Sequence, residues 1–251
     1  MFFARIIIPF LFVLVLATVA LGQRVAMLTP DDSDGSKAYA AKLEKALEGK
    51  VKLVDDALAK AAFDSAGFQS SYNLSLDEAR NAGQAIGCDF FVLVRSDVQR
   101  QSSFEKAEYY DGYAFVFLVS AKTGRLVARP FVSEIGDKPE DALRKLNSTI
   151  PATADLLTET IRPATKAELG EASTPRMEEP PDEGSPAAKN FRAPVPFRRL
   201  KPEYTKLADR YEVTATVDIS VDLDADGRVL RTEIKRWAGY DLDESVDKAV
   251  R

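Results

Sequence analysis

Phe90-Phe91-Val92-Leu93-Val94 is an unbroken run of five apolar residues just after Gly87-Cys88-Asp89. It is too short for a core helix and lacks alternation, so it reads as a strand buried on both faces. Such a strand obliges the chain to provide cover on both sides, which points to helices layered over a sheet. The neighbouring patterns provide it. Arg24 to Leu28 is a short apolar strand, and Ser36 to Leu47 carries Ala40, Leu43, Ala46 and Leu47 as a helical stripe. Val51 to Val54 is a second strand, after which Asp55 caps a short helix through Leu58 and Ala62. Ser75 and Glu78 form a capping box that opens a helix through Ala79, Ala82 and Ile86, ended by Gly87.

A long hairpin follows. Tyr109 to Ser120 includes Tyr113, Phe115, Phe117 and Val119 in an alternation that favours a strand, Lys122-Thr123-Gly124-Arg125 turns, and Leu126 to Ile135 returns. Pro139 to Ile161 reads as a last helix with Leu143, Leu146, Ile150, Leu156, Leu157 and Ile161 on its inner side, kinked or divided at Pro151. Residues 23–162 are therefore expected to form an α/β domain, a mixed sheet covered by helices, of α+β or mixed α/β class. Residues 163–197 differ in kind. Pro163 to Pro196 holds seven prolines and six acidic residues, with Leu169, Met177, Phe191 and Val195 as its sizeable apolar side chains. Such a segment buries too little surface to offset its ordering entropy and is expected to be a disordered linker. As an extended spacer it would reach on the order of 100 Å at most.

The start of the chain carries an address. Arg5 precedes an uncharged, mostly apolar run from Ile6 to Leu21, sixteen residues, or about 24 Å of helix against a bilayer core of roughly 30 Å. Ala20 and Gly22 occupy the small-residue positions of a cleavage site, with Gln23 as the first mature residue. Residues 1–22 are expected to be a cleaved export signal or, alternatively, an uncleaved anchor. Inner-membrane association would follow only from the second, and either places the rest in the periplasm.

Residues 198–251 alternate again. Val213, Ala215, Val217, Ile219 and Val221 form one face of a strand, Asp224-Ala225-Asp226-Gly227 a turn, and Val229 to Trp237 the returning strand. Leu242 then opens a helix with Val246 and Val250. With the lead-in Tyr204, Leu207 and Ala208, the strand end "VDLDADGRV" and the closing "KRWAGYDLDESVDKAVR", this segment resembles the TonB C-terminal domain, a β-hairpin plus helix. In that family the helix runs on through a tryptophan–proline region into a final strand, which here would lie past Arg251, so the domain is expected to be partial. "VDDALAKAAF", "EARNAGQAIGCDFFVLVRSDVQ" and "SAKTGRLVA" make residues 24–161 similar to the α/β domain of CsgG-like envelope proteins and the TolB N-terminus. The resemblances imply a periplasmic binding or coupling protein that meets outer-membrane receptors or assembly partners by strand addition or associates with itself, in TonB-dependent transport across the outer membrane. The alternative is an accessory adaptor in outer-membrane secretion or assembly without energy transduction. TonB proper couples through a histidine in its anchor, and this chain has no histidine.

Chemistry is sparse. The absence of histidine removes the commonest general base and metal ligand. The single cysteine, Cys88, excludes an internal disulfide, and a net charge of −5 argues against nucleic acid. Asp222, Asp224, Asp226, Gly227 and Glu233 fit the EF-hand calcium pattern position for position. Strand periodicity on both sides puts Glu233 roughly 20 Å from Gly227 along an extended chain, so a hairpin turn is expected instead of a site. Cys88 reads as a small buried residue; Asp55-Asp56 and Asp31-Asp32-Ser33-Asp34 read as caps and turns. Arg198-Arg199-Leu200-Lys201 reads as a solvated linker end, and Phe104, Tyr109 and Tyr110 as a loop patch open to a partner. No enzyme, cofactor or metal is expected.

Overall fold

The computed structural model describes residues 22–104, 106–171, 181–182, 184–190, 192, 194–195 and 200–251. Residues 1–21, Arg198, Arg199 and fourteen of the 35 residues of the expected linker lie outside the described residues. The sheet comprises β1 (Arg24–Leu28), β2 (Lys52–Leu53), β3 (Phe90–Gln101), β4 (Tyr109–Ser120), β5 (Leu126–Ala128) and β6 (Phe131–Gly136). Its order is β2-β1-β3-β4-β5, with β6 also on β4. β1 runs parallel to β2 and β3, and β4 antiparallel to its neighbours, so the sheet is mixed. The fold is a mixed α/β sheet covered by helices, as the uninterrupted strand requires.

Alternation along β3 and β4 sorts side chains into two cores. Phe90, Val92, Val94, Ala114, Val116 and Leu118 meet α1 (Asp34–Leu47), α4 (Pro139–Ser148) and α5 (Ile150–Glu171). Phe91, Leu93, Tyr113, Phe115, Phe117 and Val119 face α2 (Asp56–Ser65) and α3 (Leu76–Ile86) on the other side. Local chemistry sets the helix ends. Ser33 caps α1, Asp55 accepts from the Leu58 amide at 3.0 Å, and Ser75 with Glu78 forms the reciprocal box before α3. Gly87 closes α3 in the left-handed region.

Three expectations change. The return strand is broken at Pro130 into β5 and β6. The last helix is divided at Pro151 as expected, giving α4 and α5, but Leu143 and Leu156 are 41% and 43% exposed, not inward. Helix α5 also continues through Pro163 to Glu171. Proline there removes one backbone donor, and packing of Ile161 and Ala164 on the core carries the helix past it.

After the proline-rich stretch come α6 (Lys206–Arg210), the two-stranded sheet β7 (Asp218–Leu223) and β8 (Val229–Arg236), and α7 (Leu242–Val250). β7 starts five residues later than the alternation suggests. Val213–Val217 is held as irregular chain, because Asn73 takes both backbone groups of Thr216.

Half-buried Glu44 on α1 meets Asp56 at the start of α2. Burial, then the hydrogen bond and charge of Asp56, push its pKa up to about 7. A carboxyl raised in the fold is favoured in its neutral form. That contribution is complete below the ordinary value of 4.5 and is lost as pH rises through 7. Glu44→Gln should therefore raise Tm by roughly 2–4 °C at pH 8, about 1 kcal/mol after solvent screening, and by little at pH 4.5. Equal gains at both pH values in thermal melts would contradict this.

Candidate functional site on the aromatic sheet face

Tyr113, Phe115 and Phe117 project from one face of β4, and Phe131 from β6 stacks on Phe115 with ring centroids 4.6 Å apart. Three aromatic residues from beyond residue 200 cover this stripe. Tyr211 sits 4.5 Å from Tyr113 and edge-on to Phe115 at 5.0 Å. Tyr240 lies 4.4 Å from Phe115, and Trp237 stacks on Phe117 at 6.1 Å. Tyr211, Trp237 and Tyr240 are 4%, 1% and 3% exposed. Offset and edge-to-face arrangements of this kind add to the area term. Packing therefore crosses the proline-rich stretch, and one core holds side chains from both ends of the chain.

Hydrogen bonds fasten the cover in place. The Asn73 side-chain amide donates to Thr216 O at 2.8 Å and Trp237 O at 2.7 Å. The Trp237 amide donates to Leu74 O at 3.2 Å, and its indole N–H to Gly124 O at 3.1 Å. Asp111, fully buried on β4, accepts from Ser133 Oγ at 2.6 Å, Arg210 Nη2 at 2.7 Å and Tyr211 Oη at 3.0 Å. Burial and then the Asp111 charge push the Tyr211 hydroxyl well above the tyrosine range, so it stays a donor. At the rim Arg129 pairs with Asp241 at 3.3 Å and with Glu244, and Arg236 with Glu78 at 2.8 Å.

A left-handed turn wedges Tyr240 into the stripe. Gly239, Tyr240 and Asp241 have φ of 72°, 52° and 61°. A side chain at Gly239 would bring its Cβ to 2.6 Å from Phe117 Cε1, so only glycine fits both the space and the torsion. The two non-glycine residues carry strain. Asp243 holds the turn by accepting from the amides of Ala238 at 2.8 Å and Gly239 at 2.9 Å.

The residues singled out in the sequence fall elsewhere. Asp222, Asp224, Asp226 and Glu233 lie on and around a strand–turn–strand, not between helices. Asp224 Oδ1 accepts from the amides of Asp226 and Arg228 at 2.9 and 2.8 Å, Asp222 pairs with Arg231, and Glu233 with Arg125 and Lys235. Among the described residues no three acidic or cysteine side chains converge as metal ligands. Cys88 is half-buried beside a groove of about 370 Å³, and burial pushes its thiol up to about 12. Phe104 is fully exposed at the hairpin tip, and Tyr110 donates to Glu108 at 2.6 Å. Gly22 is exposed, and Gln23 immediately precedes β1.

The crevice at the carboxyl ends of β1 and β3, where open α/β sheets take ligands, is filled by the chain itself. Gly35 packs so closely that an added Cβ would lie 2.5 Å from Ser96 O. The Asp31 carboxylate accepts from Ser36 Oγ at 2.8 Å, placing a negative group at the start of α1 where a phosphate would sit. Sequence reasoning missed Asp111, Asn73, Arg210 and Trp237. Asp111 had a signal: it is in phase with Tyr113, Phe115 and Phe117, so an inward carboxylate needed a partner. Asn73 and Arg210 had none in the local pattern.

No protein-family model matches the chain, and no curated protein matches it. Among solved structures, the lipoprotein GNA1162 from Neisseria meningitidis is similar at 14% identity and a TM-score of 0.38, covering 55% of this chain and 99% of that one. The hypothetical protein CT253 from Chlamydia trachomatis is 13% identical with a TM-score of 0.33, covering 54% and 98%. Lipoprotein B from Nitrosomonas europaea is 9% identical with a TM-score of 0.32, covering 60% and 88%. Five of the similar structures are four bacterial lipoproteins and one hypothetical protein, and none of these five is a TonB-family structure. This corrects the TonB expectation for residues 198–251, and the CsgG and TolB likeness of the preceding domain is likewise unsupported. Physically, the residues that carried the TonB resemblance serve a different packing: Ala208, Trp237 and Tyr240 are buried in the core that includes the β4 stripe.

Trp237→Ala should cost about 3–5 kcal/mol, because it empties a fully packed indole site and breaks the bond to Gly124. Denaturant melts check this; a cost below about 1 kcal/mol would mean the cover is loosely seated. For Cys88, a pKa near 12 leaves little thiolate at pH 8. Alkylation in the native protein should run about a thousandfold slower than for a free thiol and recover on unfolding.

Proposed function

We propose that this chain is an exported, periplasmic envelope protein that works by binding another protein, as an accessory adaptor without energy transduction or catalysis. Export is supported by Arg5, the apolar run Ile6 to Leu21, and the small residues Ala20 and Gly22. No helix among the described residues is long and apolar enough to cross a membrane. A binding role is favoured over chemistry by the absence of histidine, the neutral Cys88 thiol, and the crevice filled by Gly35 and Asp31.

The observation that carries the proposal is the unpaired edge of β7. Among the described residues β7 pairs with β8 alone, so Asp218–Leu223 presents a free row of backbone donors and acceptors. Leu223 and Leu230 stand 37% and 66% exposed at the same end of the hairpin. An open edge beside apolar side chains is suited to an extended segment of a partner, with main-chain hydrogen bonds giving affinity and alternate side chains giving selectivity.

A photo-reactive residue at Ser220 or Leu230 should crosslink in living cells to an envelope protein. The same residue at exposed Lys50 should not. Adducts from all three positions alike, or from none, would defeat the reading.

A further inference from the structure

The fold takes hold of the chain at Gln23, and it leaves free the two groups of that residue that can react with each other. The Gln23 carbonyl accepts from the Lys52 amide at 3.0 Å. The next amide, Arg24 N–H, donates to Asp89 Oδ2 at 2.8 Å, and Arg24 O accepts from the Asp89 amide at 2.9 Å. Everything from the Gln23 carbonyl onward is therefore tied into β1 and its neighbours. By contrast, the Gln23 amide nitrogen and side-chain carboxamide make no hydrogen bond within the described residues. Gln23 is among the residues that line the groove of about 370 Å³, with Gly83, Phe90 and Ala121. Two independent observations meet at this residue: Ala20 and Gly22 place cleavage before it, and the hydrogen-bonded ladder begins at its carbonyl.

We propose that Gln23 is a modification site, at which the mature amino terminus closes to pyroglutamate. This rests on the export reading above. Cleavage after Gly22 turns the Gln23 nitrogen into an α-amine, whose ordinary pKa of about 7.7–8.0 leaves a substantial neutral fraction at neutral pH. The amine lone pair attacks the side-chain amide carbon, a C–N bond forms, and the bond from that carbon to the amide nitrogen breaks. One amine proton leaves with it as ammonia and the other stays on the lactam nitrogen, so no oxidant or further reactant is needed. The pinned Gln23 carbonyl holds the main chain still while the unbonded side chain folds back. The product is an uncharged end that aminopeptidases do not trim, seated at the groove.

The test is the mass and amino-terminal sequence of the full mature protein recovered from the envelope fraction of its own cells. Expected is a start at residue 23, lighter by one ammonia, blocked to stepwise sequencing until a pyroglutamyl aminopeptidase is added. Gln23→Asn, whose side chain is one carbon too short for the five-membered ring, should be exported and processed alike yet lose the blocked fraction completely. A free amine on Gln23 overturns the inference and leaves export standing, as does a start at another residue beyond the signal. A chain that retains residues 1–22 overturns the inference and the cleaved-signal reading together.

Discussion

Contact between the β4 aromatic stripe and the ring set of Tyr211, Trp237 and Tyr240 is the interaction on which the rest depends. A sheet strand buried on both faces needs two covers. On one side α1, α4 and α5 provide it from nearby sequence. On the other, α2 and α3 pack with β1, β3 and the inner part of β4, and the remaining area over Phe115 and Phe117 is covered by residues that follow the proline-rich stretch. Large aromatic side chains suit this task. Each closes a wide area with few torsions to order, and a tilted ring set fills an uneven surface without voids.

The polar groups around that layer select one seating among many. An apolar stripe alone would accept several registers, since rings slide on rings. Asp111 removes that freedom, because a fully buried carboxylate is tolerated only where Ser133, Arg210 and Tyr211 arrive together. Asn73 does the same at the other end by bonding both Thr216 backbone groups and the Trp237 carbonyl. With the cover set by these bonds, β7 is left at the outside of a two-stranded sheet, with no second partner strand among the described residues. The open edge of the proposed adaptor is thus a consequence of how the stripe is closed.

Much of this was legible in the sequence where the governing physics is local. The capping box at Ser75, the terminator at Gly87 and the alternation of Tyr109–Ser120 all carry their explanation within a few residues. Reading failed where a distant partner decided. Pro163 signalled a stop, yet contacts of Ile161 and Ala164 keep the helix going. Alternation from Val213 promised a strand, yet Asn73, far upstream in sequence, holds that stretch out of the ladder. The tyrosine, tryptophan and alanine positions of the last segment suggested a known module, whereas their spacing here answers to the rings of β4. A motif read in one dimension cannot tell a self-contained unit from a lid cut to fit another part of the same chain.

Trp237 also bears on how the molecule comes into being. Its carbonyl is held by Asn73, 164 positions earlier, so one of the closing contacts of this core waits until the chain has been made through Trp237. A chain made and exported from its amino end would carry Phe115 and Phe117 bare until the last segment emerges. Unfinished copies would then present a sticky ring surface to one another and to holdase chaperones. The ring surface of β4 is closed only once the segment carrying Tyr211, Trp237 and Tyr240 is present.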